Sequence, residues 1–108
     1  MHDYENSIQY VKKALKININ SAEAHNNIGN SYKKQGDANL ATISFRKAIK
    51  IKPNYFEAYY NLGNTLRDLS QPEDAIKSYS AAIKINKNFF EAHTNLALSF
   101  FDLSKYED

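Results

Sequence analysis

The sequence has no cysteine and no tryptophan, and only three glycines and two prolines among its 108 residues. The missing cysteines exclude disulfides and thiolate metal sites, while leaving the redox compartment open. No stretch approaches the roughly 18 consecutive apolar residues that a membrane helix needs. The chain therefore reads as a single soluble unit with no membrane partner, too short for two domains. A surplus of one charge is also lacking: 14 basic residues against 12 acidic ones leave a net +2. That is far from the concentrated basic surface that nucleic acid demands, and no nucleic-acid partner is expected. The opening residues, MHDYENS, have no apolar run behind a basic start and do not form a secretory signal. A cytoplasmic location is the resulting expectation.

Chemistry is lacking as well. There is no G-x-S-x-G, no phosphate-binding glycine loop, no H-E-x-x-H and no cysteine nucleophile, so neither an enzyme nor a cofactor is expected. His25 and His93 fall on the packing stripe of their helices with no third ligand at metal spacing, which makes them core residues rather than a metal site.

What the sequence does have is a period. Residues 22–55 and 56–89 superimpose when the chain is slid by 34 positions, and the opening and closing segments fall into the same register. Within each copy the apolar and small residues follow helical spacing. Ser7, Val11, Ala14 and Leu15 form one such face over residues 1–18, with Ile8 and Ile17 flanking. His25, Ile28, Gly29 and Tyr32 form the next, and Gly36 supplies a left-handed stop. Asp37 can cap a second helix with Ala41, Phe45, Ala48 and Ile49 inside, which ends before Pro53. The second copy repeats this with Tyr59, Leu62, Gly63 and Leu66, then Ala75, Tyr79, Ala82 and Ile83. Ser70, Gln71 and Pro72 make its turn in place of the glycine. The third copy starts at Phe90 with His93, Leu96, Ala97 and Phe100.

Six helices paired as antiparallel hairpins are thus expected in an all-α chain: residues 1–21 a second helix, 22–55 and 56–89 full repeats, and 90–108 a first helix. Asn20 or Ser21 with Glu23, Asn54 with Glu57, and Asn88 with Glu91 suggest capping boxes. Small Gly29, Gly63 and Ala97 allow close helix approach, which Phe45 and Tyr79 fill. One hairpin cannot bury its own stripe, so stability comes from stacking on neighbours.

The 34-residue period, Asn-Ile-Gly-Asn at 27–30, Asn-Leu-Gly-Asn at 61–64, the Ala-x-x-x-aromatic-x-x-Ala runs at 41–48 and 75–82, and Pro53 resemble the tetratricopeptide repeat. His25, Tyr59 and His93 stand where that family favours tryptophan, and Ile19 and Lys87 replace the closing proline. The resemblance implies a right-handed superhelix whose concave groove, lined by first helices, binds a peptide or partner protein without catalysis. First-helix positions left over from packing would face that groove: Asn26, Asn27, Asn30, Lys33 and Lys34, then Tyr60, Asn61, Asn64 and Arg67, then Asn95. Asn27, Asn61 and Asn95 recur every 34 residues, and their amides suit an extended peptide backbone. This ladder resembles the repeat region of O-linked N-acetylglucosamine transferases, which raises the alternative of a substrate-delivering appendage. The same asparagines can instead bond to the adjacent hairpin. A chaperone-tail carboxylate clamp is disfavoured, because Asn26, Asn30, Thr94 and Leu98 stand where lysine or arginine would be wanted.

The ends suggest self-association. Ile8, Val11 and Leu15 at one end and Leu96, Phe100 and Phe101 at the other are parts of the same repeat. A head-to-tail contact or a two-fold dimer through these faces is expected, which would make the chain a self-assembling module. The basic residues of the second helices, including Arg46, Lys47, Lys50, Lys77 and Lys84, are read as a solvated outer face.

Overall fold

The computed structural model describes residues 8, 9 and 21–105. Five helices lie among residues 21–105: α1 Ala22–Lys34, α2 Ala38–Ile51, α3 Phe56–Asp68, α4 Pro72–Ile85 and α5 Phe90–Ser104. The sixth helix expected over residues 1–18 lies outside the described residues except for Ile8 and Gln9, which are helical. No strand occurs among the described residues, so the all-α expectation holds with five helices in place of six. Two compact units result, residues 1–53 with α1 and α2, and residues 54–108 with α3, α4 and α5.

Each hairpin closes on one contact. In the first unit Ala41, Phe45 and Ala48 of α2 are fully buried, and a Cβ built on Gly29 would lie 2.5 Å from Phe45 Cε1. In the second unit Ala75, Tyr79 and Ala82 of α4 are equally buried, and a Cβ on Gly63 would lie 2.7 Å from Tyr79 Cε1. The aromatic ring thus rests on bare backbone. Only glycine permits that approach, since real Cβ atoms do not come so close.

The turns are set by different residues but share a geometry. Gly36 adopts φ +84°, and the Asp37 N–H reaches back to the Tyr32 carbonyl at 2.9 Å. Asp37 then caps α2 by accepting from the Leu40 N–H at 3.3 Å. In the second copy Ser70 takes the left-handed conformation at φ 59°, and the Gln71 N–H donates to the Leu66 carbonyl at 2.9 Å. Pro72 follows as the first residue of α4, where a missing N–H costs nothing. After α4 no proline closes the repeat. Instead the Asn86 side chain accepts from the Asn88 N–H at 3.3 Å, an Asx turn.

The capping boxes are corrected. Ser21 caps α1 and accepts from the Ala24 N–H at 3.0 Å, but the caps of α3 and α5 are Tyr55 and Phe89, with no side-chain bond. Asn54 and Asn88 fall one residue too early, so Glu57 and Glu91 are second helical residues and not partners in a box. Glu23 makes an exposed ion pair with Lys52 at 3.8 Å. Carboxylates in these first turns still favour the helix dipole.

α5 differs from α1 and α3. It buries Ala92 and Ser99 and half-buries Asn95, Leu96, Asp102 and Leu103, while His93, Ala97 and Phe100 are exposed. The stripe that α2 and α4 cover on α1 and α3 is open here.

Two substitutions check this account by urea unfolding. Gly63→Ala drives a methyl into the Tyr79 ring and is expected to cost about 1–3 kcal/mol. Ser70→Gly relieves a left-handed L-residue and is expected to stabilise by about 1 kcal/mol.

Candidate functional site

The first helices carry the residues singled out for binding, and their surroundings differ. In the first unit Asn27 is exposed, Asn30 and Lys33 are half-buried and Lys34 is exposed. Asn26, expected beside them, is 7% exposed and so belongs to the interior of its unit.

In the second unit the expected groove residues bond to one another. The Tyr79 hydroxyl donates to Asn64 Oδ1. Asn95 Nδ2 donates to the same oxygen at 2.9 Å and to the Tyr60 hydroxyl at 3.2 Å. The Tyr60 ring also lies 4.7 Å from Phe89 and 5.9 Å from Tyr79, centroid to centroid. Tyr60 and Asn95 therefore fasten α5 to the α3–α4 hairpin, which limits what their polar atoms can offer a ligand. Here the amide of the repeating asparagine bonds to the neighbouring hairpin, the alternative its carboxamide always allowed.

One turn further along, Arg67 Nε donates to Asp102 Oδ2 at 2.9 Å, with both side chains about a quarter exposed, 27% each. Its hydrogen bond to Asp102 is the main cause that holds the Arg67 guanidinium above its ordinary range. Ser70, Pro72 and Lys105 complete a shallow polar depression around this pair. Asn61 is half-buried on the same helix, and its carbonyl accepts from the Thr65 hydroxyl at 2.8 Å. Ser99 does the same to the Asn95 carbonyl at 2.8 Å, so two buried hydroxyls are satisfied within their own helices.

Burial pushes the Tyr79 hydroxyl up to about 12 from an ordinary 10. The signal for this network was present in the sequence. Where one hairpin has Phe45 the other has Tyr79, and a buried phenol requires a partner.

Of the residues expected at the ends, Ile8 is 6% exposed and so covered by its own chain, which corrects its assignment to an open face. Val11 and Leu15 lie outside the described residues. Leu96 is half-buried, whereas Phe100 and Phe101 are 55% and 61% exposed. Among the described residues no three His, Cys, Asp or Glu side chains gather as a metal site, and no helix is long and apolar enough to cross a membrane.

The tyrosine supplies a pH test. Its folded-state pKa is raised, so folding favours the protonated phenol. That contribution is whole below pH 10 and is lost as pH climbs through about 12. Replacement by Phe in Tyr79→Phe should reduce the alkaline loss of stability in denaturant titrations across this window. An equally steep loss in the variant would contradict the assignment.

Comparison with known proteins follows the geometry. Residues 22–55 and 56–89 each match the family described as Tetratricopeptide repeat, and residues 3–36 match a TPR repeat. No curated protein matches the sequence. Among solved structures, MamA is 25% identical with a TM-score of 0.89, covering 94% of this chain and 55% of its own. The first TPR of Spaghetti (RPAP3), bound to an HSP90 peptide, is 22% identical with a TM-score of 0.92, covering 94% and 81%. The O-GlcNAc transferase of Thermobaculum terrenum, in a mutant form, is 28% identical with a TM-score of 0.84, covering 90% and 19%. The chain thus spans about half of MamA and a fifth of the transferase. With two successive 34-residue matches that coincide with the two described hairpins, the chain belongs to the tetratricopeptide repeat family.

Proposed function

We propose that the chain is a non-catalytic protein-interaction scaffold, in which first-helix faces hold an extended peptide or a segment of a partner protein. The observation that carries this reading is the recurrence of a carboxamide at one position of each first helix, exposed at Asn27 and half-buried at Asn61. An extended strand presents N–H and C=O groups along its length, and amides at repeat spacing meet both. Lys33, Lys34 and Arg67 flank these positions.

The RPAP3 neighbour shows the same fold, and it holds a peptide in its own case. For this chain the HSP90 tail is not the favoured ligand, since Asn26, Asn30, Thr94 and Leu98 provide no cationic pair for its carboxylates. A second reading draws on the 28% identity to the O-GlcNAc transferase over 90% of this chain. In it the repeats deliver substrate to a catalytic domain of a longer protein, with the same asparagines in contact with the substrate's main chain.

A random-sequence peptide display library selected on the purified chain provides the probe. Asn27→Ala and Asn61→Ala should each weaken the selected peptides by roughly twofold to tenfold, the worth of one hydrogen bond, with the helical circular dichroism unchanged. Unchanged affinity in the double variant would overturn the proposal. Asn95→Ala should instead lower stability, because it strips a donor from Asn64 and Tyr60.

A further inference from the structure

The two described hairpins share their packing residues but not their outer surfaces. Leu40 and Ile43 of α2 are 40% and 49% exposed. Sliding the sequence by 34 sets Asp74 and Lys77 of α4 in their places, and both are exposed as well. The repeat thus puts these two positions at the surface in either copy, and the second unit fills them with charge. In the first unit they are aliphatic, although the seat of Phe45 on Gly29 uses neither.

Leu40 and Ile43, with Lys47 one turn on, form one wall of an open groove whose other wall is His25, Ile28 and Tyr32 of α1. Ile28 is buried, and His25 and Tyr32 are half-buried. The groove encloses about 190 Å³. A cavity of ~150 Å³ takes a benzene ring, whereas sites for drug-sized ligands start at roughly 300 Å³. The space therefore suits one large apolar side chain of a macromolecule rather than a free small molecule. Its concavity also favours an inserted side chain over a lipid surface, which receives a protruding apolar face.

Charge says what accompanies that side chain. α2 carries no aspartate or glutamate, and the one acid of α1, Glu23, pairs with Lys52. Arg46, Lys47 and Lys50 are exposed and make no ion pair among the described residues. Cations beside an apolar groove with no acid opposite them complement a partner that is both apolar and acidic. Spacing narrows its form. Ile43 and Lys47 are four residues apart, about 6 Å along the helix. An incoming helix has the same rise, so an apolar residue and a carboxylate four positions apart meet both together.

We propose that the groove between α1 and α2 docks an acidic amphipathic helix of a partner protein. One aliphatic or aromatic side chain enters between Tyr32 and the Leu40–Ile43 wall, and a carboxylate one turn away pairs with Lys47. This assigns to binding a part of the second-helix surface that the sequence gave as solvated. It goes beyond the peptide-backbone proposal and does not depend on it.

The probe is an alanine-rich helical peptide with leucine and glutamate four residues apart, alongside a twin with lysine for each glutamate. Titrated into methyl-labelled chain and followed by NMR, the acidic peptide should shift the Leu40 and Ile43 methyls and the twin should not. Leu40→Asp with Ile43→Lys installs the second unit's own surface and so leaves the fold intact. This double variant should weaken the acidic peptide by roughly tenfold or more. Lys47→Glu should weaken it by roughly twofold to fivefold and improve the twin by a similar factor. Equal binding of the two peptides, no shifts at millimolar peptide, or affinity indifferent to the double variant would overturn the proposal. Binding to phosphatidylserine vesicles that the double variant abolishes, with no response to peptide, would overturn it in favour of a lipid surface. Asn27→Ala and Asn61→Ala should leave the acidic-peptide affinity unchanged, so the two proposals fail separately.

Discussion

Everything in the structure depends on an aromatic ring seated on a glycine. Phe45 on Gly29 and Tyr79 on Gly63 set how closely the two helices of each hairpin approach. That separation lets the small residues on either side of the ring, Ala41 and Ala48 or Ala75 and Ala82, become fully buried. Apolar burial of this kind contributes roughly 25 cal/mol per Å², and it is lost steeply once helices are forced apart. Turns and caps then need only bring the helices into register. This explains why Gly36 and Ser70, or Ser21 and Tyr55, can serve equivalent places with different chemistry.

The second unit adds a polar constraint to the apolar one. Exchanging the phenylalanine for Tyr79 introduces a hydroxyl into the core, and its bond to Asn64 recruits Asn95 and Tyr60. Buried networks of this kind are specific when complete and costly when broken. Here the network ties three helices together, and the Arg67–Asp102 pair extends it toward the end of α5. The positions proposed for binding and the residues of this network thus lie on the same helices. Asn27 is left at the surface, Asn61 is half-buried, and Asn95 is committed to structure.

Much of the fold was legible because its determinants are periodic. The 34-residue spacing placed α1 to α5, and the alternation of small and large residues identified the contacts that close each hairpin. The turn at Ser70 was legible from position alone, since it occupies the place of Gly36. Cap identity was not, because Asn54 and Asn88 lie within one residue of the true caps and only backbone geometry separates Asn54 from Tyr55. The site was less legible than the fold. Helical periodicity says which side of α1 holds Asn26, but its burial depends on what lies over it in three dimensions. Likewise, the repeat shows that Asn95 carries the same carboxamide as Asn61, but not that it bonds to Asn64 and Tyr60 on a neighbouring helix.

The central claim is that carboxamides on the first helices receive a peptide main chain. Titrating a display-selected peptide into isotope-labelled chain and following the asparagine side-chain amides by NMR tests it most directly. The account predicts large shifts for Asn27 and Asn61, with Asn95 changing little while it stays bonded to Asn64 and Tyr60. Shifts confined to other faces of the helices, with Asn27 and Asn61 unmoved at saturation, would contradict it.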